Sequence, residues 1–216
     1  MRVSIIIPVY NEEHTVGEVL RRVLALPIDK EVIVVDDGST DNTPEVIAAC
    51  SGPGLIAVRL ERNSGKGAAI RAGLTHASGE YVLIHDADLE LLPEEVPLVL
   101  APIAAGRGPV VYGSRFLLGR GRASRGHYLG NRLITAWANL LYGSSLTDVS
   151  TANKLFPRCL VERLDLRCTR FEFCPEITAK LLRMGLPIEE VLVSYFPRLN
   201  GSGKKLRYFT DEHLKE

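Results

Sequence analysis

Short runs of β-branched residues alternate with stretches of helical spacing along most of the chain, and that alternation restricts the fold more than any other feature. Val3–Val9 (VSIIIPV), Glu31–Val35 (EVIVV), Leu55–Leu60 and Glu80–His85 (EYVLIH) read as buried strands. Between them, Glu12–Leu26, Thr43–Ala49 and Gly65–Ala77 carry apolar residues at helical intervals. Such βαβ succession builds a mostly parallel sheet with helices on both faces. A chain of 216 residues holds one such domain comfortably and two only with difficulty. The second half is less regular. It predicts a helix over Leu91–Ala105, a short strand at Val110–Tyr112, a Gly/Arg/Ser loop at Arg120–Gly126 and an amphipathic helix over His127–Leu141. A strand at Ala152–Phe156, a helix at Pro175–Met184 and a last strand at Pro187–Tyr195 complete it. One domain is expected over 1–200, followed by a polar, basic arm over 201–216.

Charge excludes some functions. Lys plus Arg and Asp plus Glu are each 26, so no net field favours nucleic acid. The distribution is uneven: no Asp or Glu lies between Glu95 and Asp148, where Arg107, Arg115, Arg120, Arg122, Arg125 and Arg132 fall. That block suits phosphates or a solvated loop equally on charge alone. Cys50, Cys159, Cys168 and Cys174 lack the C-x-x-C spacing of a zinc or redox site and read as reduced thiols, mostly in the core of a cytoplasmic protein. Neither a signal peptide nor an apolar run of membrane-spanning length is expected.

In an open α/β sheet, ligands bind outside the carboxyl ends of the strands. Three polar clusters fall there: Tyr10-Asn11-Glu12, Asp36-Asp37-Gly38-Ser39 and His85-Asp86-Ala87-Asp88. Singly each suits a cap or turn; together on one rim they indicate a site. Asp86-x-Asp88 places two carboxylates where a hard divalent ion and a substrate phosphate can meet, with a capped turn into Pro93 as the alternative; Glu90 continues the spacing as a third ligand, direct or through water. Asn63-Ser64-Gly65-Lys66-Gly67 is not a P-loop, because Leu60 and Gly67 stand where Gly and Ser/Thr are required. Nor does Pro8-Val9-Tyr10-Asn11 fit a dinucleotide fingerprint. A phosphatase D-x-D pair follows a first strand, whereas this one follows the fourth.

The ordered series Pro8-Val9-Tyr10-Asn11-Glu12, Val35-Asp36-Asp37-Gly38-Ser39-Thr40-Asp41, Asn63-x-Gly65-Lys66-Gly67 and Asp86-Ala87-Asp88 resembles family 2 glycosyltransferases of the GT-A fold. Tyr112-Gly113-Ser114-Arg115, Asp148 with Lys154-Leu155-Phe156, Glu190-Val191, Tyr195 and Arg198 resemble one branch, the polyprenyl-phosphate sugar transferases of the dolichol-phosphate mannose and glucose synthase type. The resemblance implies a single Rossmann-like domain using a UDP- or GDP-linked sugar, Mg²⁺ or Mn²⁺, and a lipid-phosphate acceptor, with inversion. It places Pro8, Tyr10, Glu12 and Asp37 around base and ribose, with Asp36 alternatively holding the loop. Lys66, Asp86 and Ala87 fall beside the nucleotide sugar, and Asp86, Asp88 and Glu90 at the metal. It sets Arg115 and Arg198 on phosphates and Lys204 or Lys205 as a closing lysine. Asp148, which ends the acid-free stretch after Leu146, is the candidate base or else a turn cap. Glu90 departs from the Gln of mannose-transferring relatives, leaving the sugar open.

Two further readings stay open. A hydroxyl of a glycan or small molecule is an alternative acceptor, and a non-catalytic nucleotide-sugar-binding module a remote one. In the second helix of the arginine block, Tyr128, Leu133, Ile134, Trp137, Leu140 and Leu141 form an apolar face. The spacing alone favours core packing; with the family resemblance it favours contact with a membrane interface, on the cytoplasmic face. Oligomeric state is not fixed by the sequence, and a membrane-protein partner is compatible with it.

Overall fold

The computed structural model describes residues 1–198 apart from 122. The strands are β1 Val3–Val9, β2 Lys30–Asp36, β3 Leu55–Arg59, β4 Tyr81–Ile84, β5 Val110–Ser114, β6 Lys154–Pro157 and β7 Ile188–Leu192. The α-helices are α1 Val16–Leu24, α2 Thr43–Ala49, α3 Lys66–Leu74, α4 Val96–Ala104, α5 Arg125–Tyr142, α6 Val161–Leu164 and α7 Phe173–Arg183. One seven-stranded sheet has the order β3-β2-β1-β4-β6-β5-β7. Only β6 runs against its neighbours, pairing antiparallel with both β4 and β5.

The two-residue period of the strands divides the core in two. Ile5, Ile7, Val32, Val34, Leu83, Val111 and Leu155 point to one face, covered by Val16, Val19, Leu20 and Val23 of α1 and by Val96 and Val99 of α4. Ile6, Ile33, Val35, Val82, Ile84, Tyr112 and Phe156 point to the other, covered by Ala69, Ile70 and Leu74 of α3 and by Phe173, Ile177 and Leu181 of α7. A strand buried on both faces reads as a continuous apolar run, as β1 does.

Boundaries differ from the sequence expectation where local chemistry intervenes. The first helix begins at Val16, because Glu12 closes a turn on Thr15, whose Oγ donates to Glu12 Oε2 at 2.9 Å. The helix expected over Leu91–Ala105 is a 3₁₀ turn at Pro93–Glu95 followed by α4; Pro97 sits in the first turn of α4, where no N–H is needed. Of the cysteines, only Cys174 is buried and Cys159 is exposed, so the thiols are not mostly core residues.

The expected apolar face of α5 is split: Tyr128 packs edge-on against Phe116 and Ile134 lines the cleft, while the rest turns away from the core. Asn131 and Thr135 are the buried residues of the helix, and Asn139 lies on the same side one turn further. They bind the loop before β6. Thr135 Oγ accepts the Val149 N–H at 3.2 Å, Asn131 Oδ1 that of Ser150 at 3.1 Å and Asn139 Oδ1 that of Leu146 at 2.9 Å. Leu129, Leu133, Trp137, Leu140 and Leu141 face outward.

Candidate active site

The carboxyl ends of β1, β2, β3, β4, β5 and β7, with the segment leading into β6, surround a cleft of about 930 Å³. On its first side the chain leaving β1 is stitched to that leaving β2. The Asn11 N–H donates to Ser39 Oγ at 2.9 Å, and Asn11 Oδ1 accepts the Thr40 N–H at 2.9 Å. Neighbouring acids then diverge. Asp36 accepts the Ser39 N–H at 2.9 Å and pairs with Arg59 at 3.3 Å, holding its own loop. Asp37 lines the cleft and accepts the N–H groups of Ser64 and Gly65, both at 2.8 Å, which fixes the start of α3. Gly38 takes a φ of +68°, and a Cβ there would lie 2.5 Å from the Arg62 carbonyl carbon, so this turn needs glycine.

The start of α3 also receives a distant loop. Thr169 O accepts the Ala68 N–H at 3.0 Å, and a Cβ on Gly67 would stand 2.4 Å from Cys168 O. That approach brings Arg170, Phe171 and Glu172 to the cleft wall. Sequence reading missed them; the paired glycines signal a close backbone contact without saying with what.

Lys66 reaches across to Asp86, Nζ to Oδ1 2.5 Å. Burial alone would lower the Lys66 pKa, and the Asp86 charge overrides it to give a net rise. Reciprocally, burial would raise the Asp86 pKa, and Lys66 overrides it downward. Two residues on, burial, then the charges of Asp86 and Glu90, push the Asp88 carboxyl up to about 7. Leu89, at φ +60°, makes the tight turn that sets these acids together, and Asp88 Oδ1 accepts the Glu90 N–H at 3.1 Å. Glu90 Oε1 instead accepts the Arg198 N–H at 2.9 Å. Asp86, Asp88 and Glu90 thus share the cleft, with Asp86 engaged by Lys66 and Glu90 by Arg198.

Arg198 closes this side. Its guanidinium pairs with Glu12 Oε2 at 2.5 Å and donates to the Asp88 carbonyl at 3.1 and 3.2 Å. Opposite, Arg115 lies against the rings of Phe116 and Tyr195, 5.1 and 5.2 Å from their centroids. Behind it stands Asp148, with no exposed surface and outside the cleft lining, in a bidentate pair with Arg115. The Asp148 expected as a base therefore does not reach the cleft; Arg115 stands between. Pro8, Tyr10, Glu12, Asp37, Lys66, Asp86, Ala87, Asp88, Glu90, Arg115 and Arg198 all line it, and His127, Asn131 and Ser150 join them from α5 and the β6 approach. Lys204 and Lys205 lie outside the described residues.

A parallel sheet with one reversed strand, and an acidic cluster facing lysine and arginine at its carboxyl edge, define the class: a GT-A α/β domain. The chain belongs to glycosyl transferase family 2, whose family model matches residues 4–164. It is 34% identical over 209 residues to an undecaprenyl-phosphate 4-deoxy-4-formamido-L-arabinose transferase of Pseudomonas fluorescens (strain SBW25), a match covering 94% of this chain and 59% of the relative. The chain thus spans about three fifths of the length of the curated relatives it matches. Among solved structures it is similar to glucosyl-3-phosphoglycerate synthase from Mycobacterium tuberculosis. The complex with UDP has a TM-score of 0.73 at 24% identity, over 92% of this chain and 72% of the other. The complex with Mn²⁺, UDP and phosphoglyceric acid has a TM-score of 0.71 at 25% identity, over 91% and 71%.

Proposed function

We propose that this chain transfers a sugar from a nucleoside-diphosphate sugar to a polyprenyl phosphate, with inversion at the anomeric carbon. The observation that carries this reading is the crowding of Asp86, Asp88 and Glu90 opposite Lys66, Arg115 and Arg198 within one cleft. That arrangement suits a diphosphate and an accompanying cation. The named acceptor lipid of the Pseudomonas relative supports the acceptor class.

The donor set fits a magnesium-like ion, which takes one or two carboxylates and completes its shell with phosphate and water. Asp88, crowded by like charge, and Asp86 would hold it; Glu90 would stay with Arg198. When bound, Mg²⁺ or Mn²⁺ supplies electrostatic stabilisation of the departing diphosphate. The chain's own residues do the rest. Pro8, Tyr10 and Asp37 form the base and ribose end, and Lys66 stands beside the diphosphate. Arg115 presents a fixed guanidinium to the acceptor phosphate. An acceptor phosphate oxygen forms the new bond to the anomeric carbon while the bond to the nucleoside diphosphate breaks and its electron pair leaves with that group. A phosphate acceptor is already anionic, so it needs positioning rather than a base. That agrees with the withdrawal of Asp148 from the cleft; a hydroxyl acceptor would need a carboxylate within reach.

No helix among the described residues is long and apolar enough to cross a membrane. A lipid-phosphate acceptor places the cleft beside a membrane surface, on the face where nucleotide sugars are present. Incubation with radiolabelled UDP- and GDP-sugars, Mg²⁺ or Mn²⁺, and polyprenyl phosphate tests it. Organic-soluble, acid-labile label is the expected product. Label moving only to a hydroxyl acceptor would replace the lipid reading, and no transfer from any donor would leave a nucleotide-sugar-binding module.

A further inference from the structure

The nucleotide half of the sheet, β3-β2-β1-β4, meets the other half, β6-β5-β7, at the antiparallel pair of β4 and β6. Backbone pairing across this seam stops at Ile84 and Lys154. Beyond it the two chains part. The His85 N–H donates to Ile6 O of β1 at 3.0 Å, and Asn153 O accepts the Gly113 N–H of β5 at 2.8 Å. A side-chain bond joins them there instead. His85 Nδ1 lies 2.8 Å from Asn153 Oδ1, and neither residue has exposed surface. A carbonyl oxygen only accepts, so the imidazole hydrogen sits on Nδ1.

This pair is a poor source of stability. His85 Nε2 and Asn153 Nδ2 are buried with no partner among the described residues, a penalty that apolar side chains would avoid. Leu83 and Leu155, two residues away along β4 and β6, show what the core otherwise uses. Room is also kept for it, since a Cβ on Gly113 would stand 2.9 Å from Asn153 Cβ. Its position is more telling. His85 directly precedes Asp86. On the other side, Thr151 Oγ accepts the Asn153 N–H at 3.2 Å and donates to Gly113 O at 2.6 Å. The segment fixed in this way carries Ser150, which lines the cleft, and Asp148, which holds Arg115.

We propose that His85 and Asn153 are positioning residues that set the distance between the two reacting partners. One partner is the donor diphosphate at Asp86 and Asp88; the other is the acceptor at Arg115 and Ser150. This rests on the transfer reaction proposed above. Without the pair each half keeps its own ligand contacts, and only the alignment of the acceptor oxygen with the anomeric carbon is lost. A misplacement of about 1 Å at that point costs of the order of 100-fold in rate.

The full chain is compared with H85L/N153A, an apolar pair of similar combined volume, and with H85Q, whose amide can still donate to Asn153 Oδ1. Transfer is assayed from UDP- and GDP-sugars to a short, water-soluble polyprenyl phosphate, and each protein is melted with and without UDP or GDP and Mn²⁺. H85L/N153A is expected to melt no lower than wild type, because both members of the unsatisfied pair are gone. It keeps both KM values within about threefold and loses at least about tenfold in kcat. H85Q returns kcat to within about threefold of wild type. A lower Tm for H85L/N153A, or its failure to fold, shows an ordinary structural pair and overturns the proposal. So does a loss carried by KM, or an H85Q as impaired as the double variant. An active wild type matched by H85L/N153A overturns this proposal alone, whereas a wild type that transfers no sugar overturns the functional reading and this proposal with it.

Discussion

Asp148 grips Arg115 with both carboxylate oxygens, Oδ2 to Nε at 2.7 Å and Oδ1 to Nη2 at 2.9 Å, and Oδ2 also accepts the Arg115 backbone N–H at 3.1 Å. The pair is itself held from β7, where Glu190 accepts the N–H groups of Thr147 at 2.7 Å and Asp148 at 3.0 Å. Arg115 is thus fixed before any ligand arrives, which lowers the ordering cost of binding an anion.

Asp148→Asn keeps the volume and removes the charge that holds Arg115. Breaking a buried pair costs about 3–5 kcal/mol, read as a lower urea midpoint. A guanidinium displaced by about 1 Å costs of the order of 100-fold in kcat/KM. The pH–rate profile of the variant keeps the wild-type shape, because Asp148 exchanges no proton with substrate. Selective loss of the acidic limb would show a base instead.

Asp88→Asn neutralises the middle carboxylate of a crowded trio. The ligand-free protein gains about 1 kcal/mol, a rise in Tm of about 2–4 °C for a domain of this size. The same variant loses the Mn²⁺-dependent part of any stabilisation by a nucleoside diphosphate, checked by thermal shift with and without the ion.

Glu31 is a stability determinant away from the cleft. It accepts from Ser4 Oγ and the Ser78 N–H, both at 2.5 Å, and pairs with Arg2 at 3.0 Å. Burial works against its charge, but these hydrogen bonds hold its pKa at about 2, below the ordinary 4.5. A depressed carboxylate stabilises above its unfolded pKa and loses that contribution as pH falls through the folded one. The difference amounts to about 3 kcal/mol. Wild type therefore loses stability between pH 4.5 and 2; Glu31→Gln is less stable at pH 7 and shows a flatter acid limb in denaturation curves.

Gly67→Ala drives a methyl into the Cys168 carbonyl. Overpacking of this kind costs about 1–3 kcal/mol. The loop carrying Arg170 and Phe171 is displaced with it, so nucleotide-sugar KM rises more than kcat falls and proteolysis between 165 and 172 accelerates.

The sheet was largely legible because β1, β2 and β4 are apolar enough to be buried on both faces, and the rim was legible because Asp37, Asp86 and Asp88 follow those strands. Reversal of β6 was not, since periodicity is blind to strand direction. The orientation of α5 was hidden for a related reason. Spacing identifies an apolar face but does not tell which side the protein occupies; the hydrogen bonds of Asn131, Thr135 and Asn139 to a loop settle that. Nor does spacing show that Asp148 is shielded by Arg115, a relationship made at a sequence separation of 33.

Reversal of β6 has an architectural consequence. Every other strand contributes to the rim by what leaves it, whereas β6 contributes by what leads into it. The stretch between Gly143 and Asn153 can thus lengthen or change its path without moving the termini of β1, β2 or β4. On the proposed function, a change confined to that stretch alters the acceptor side of the cleft and leaves the nucleotide side in place.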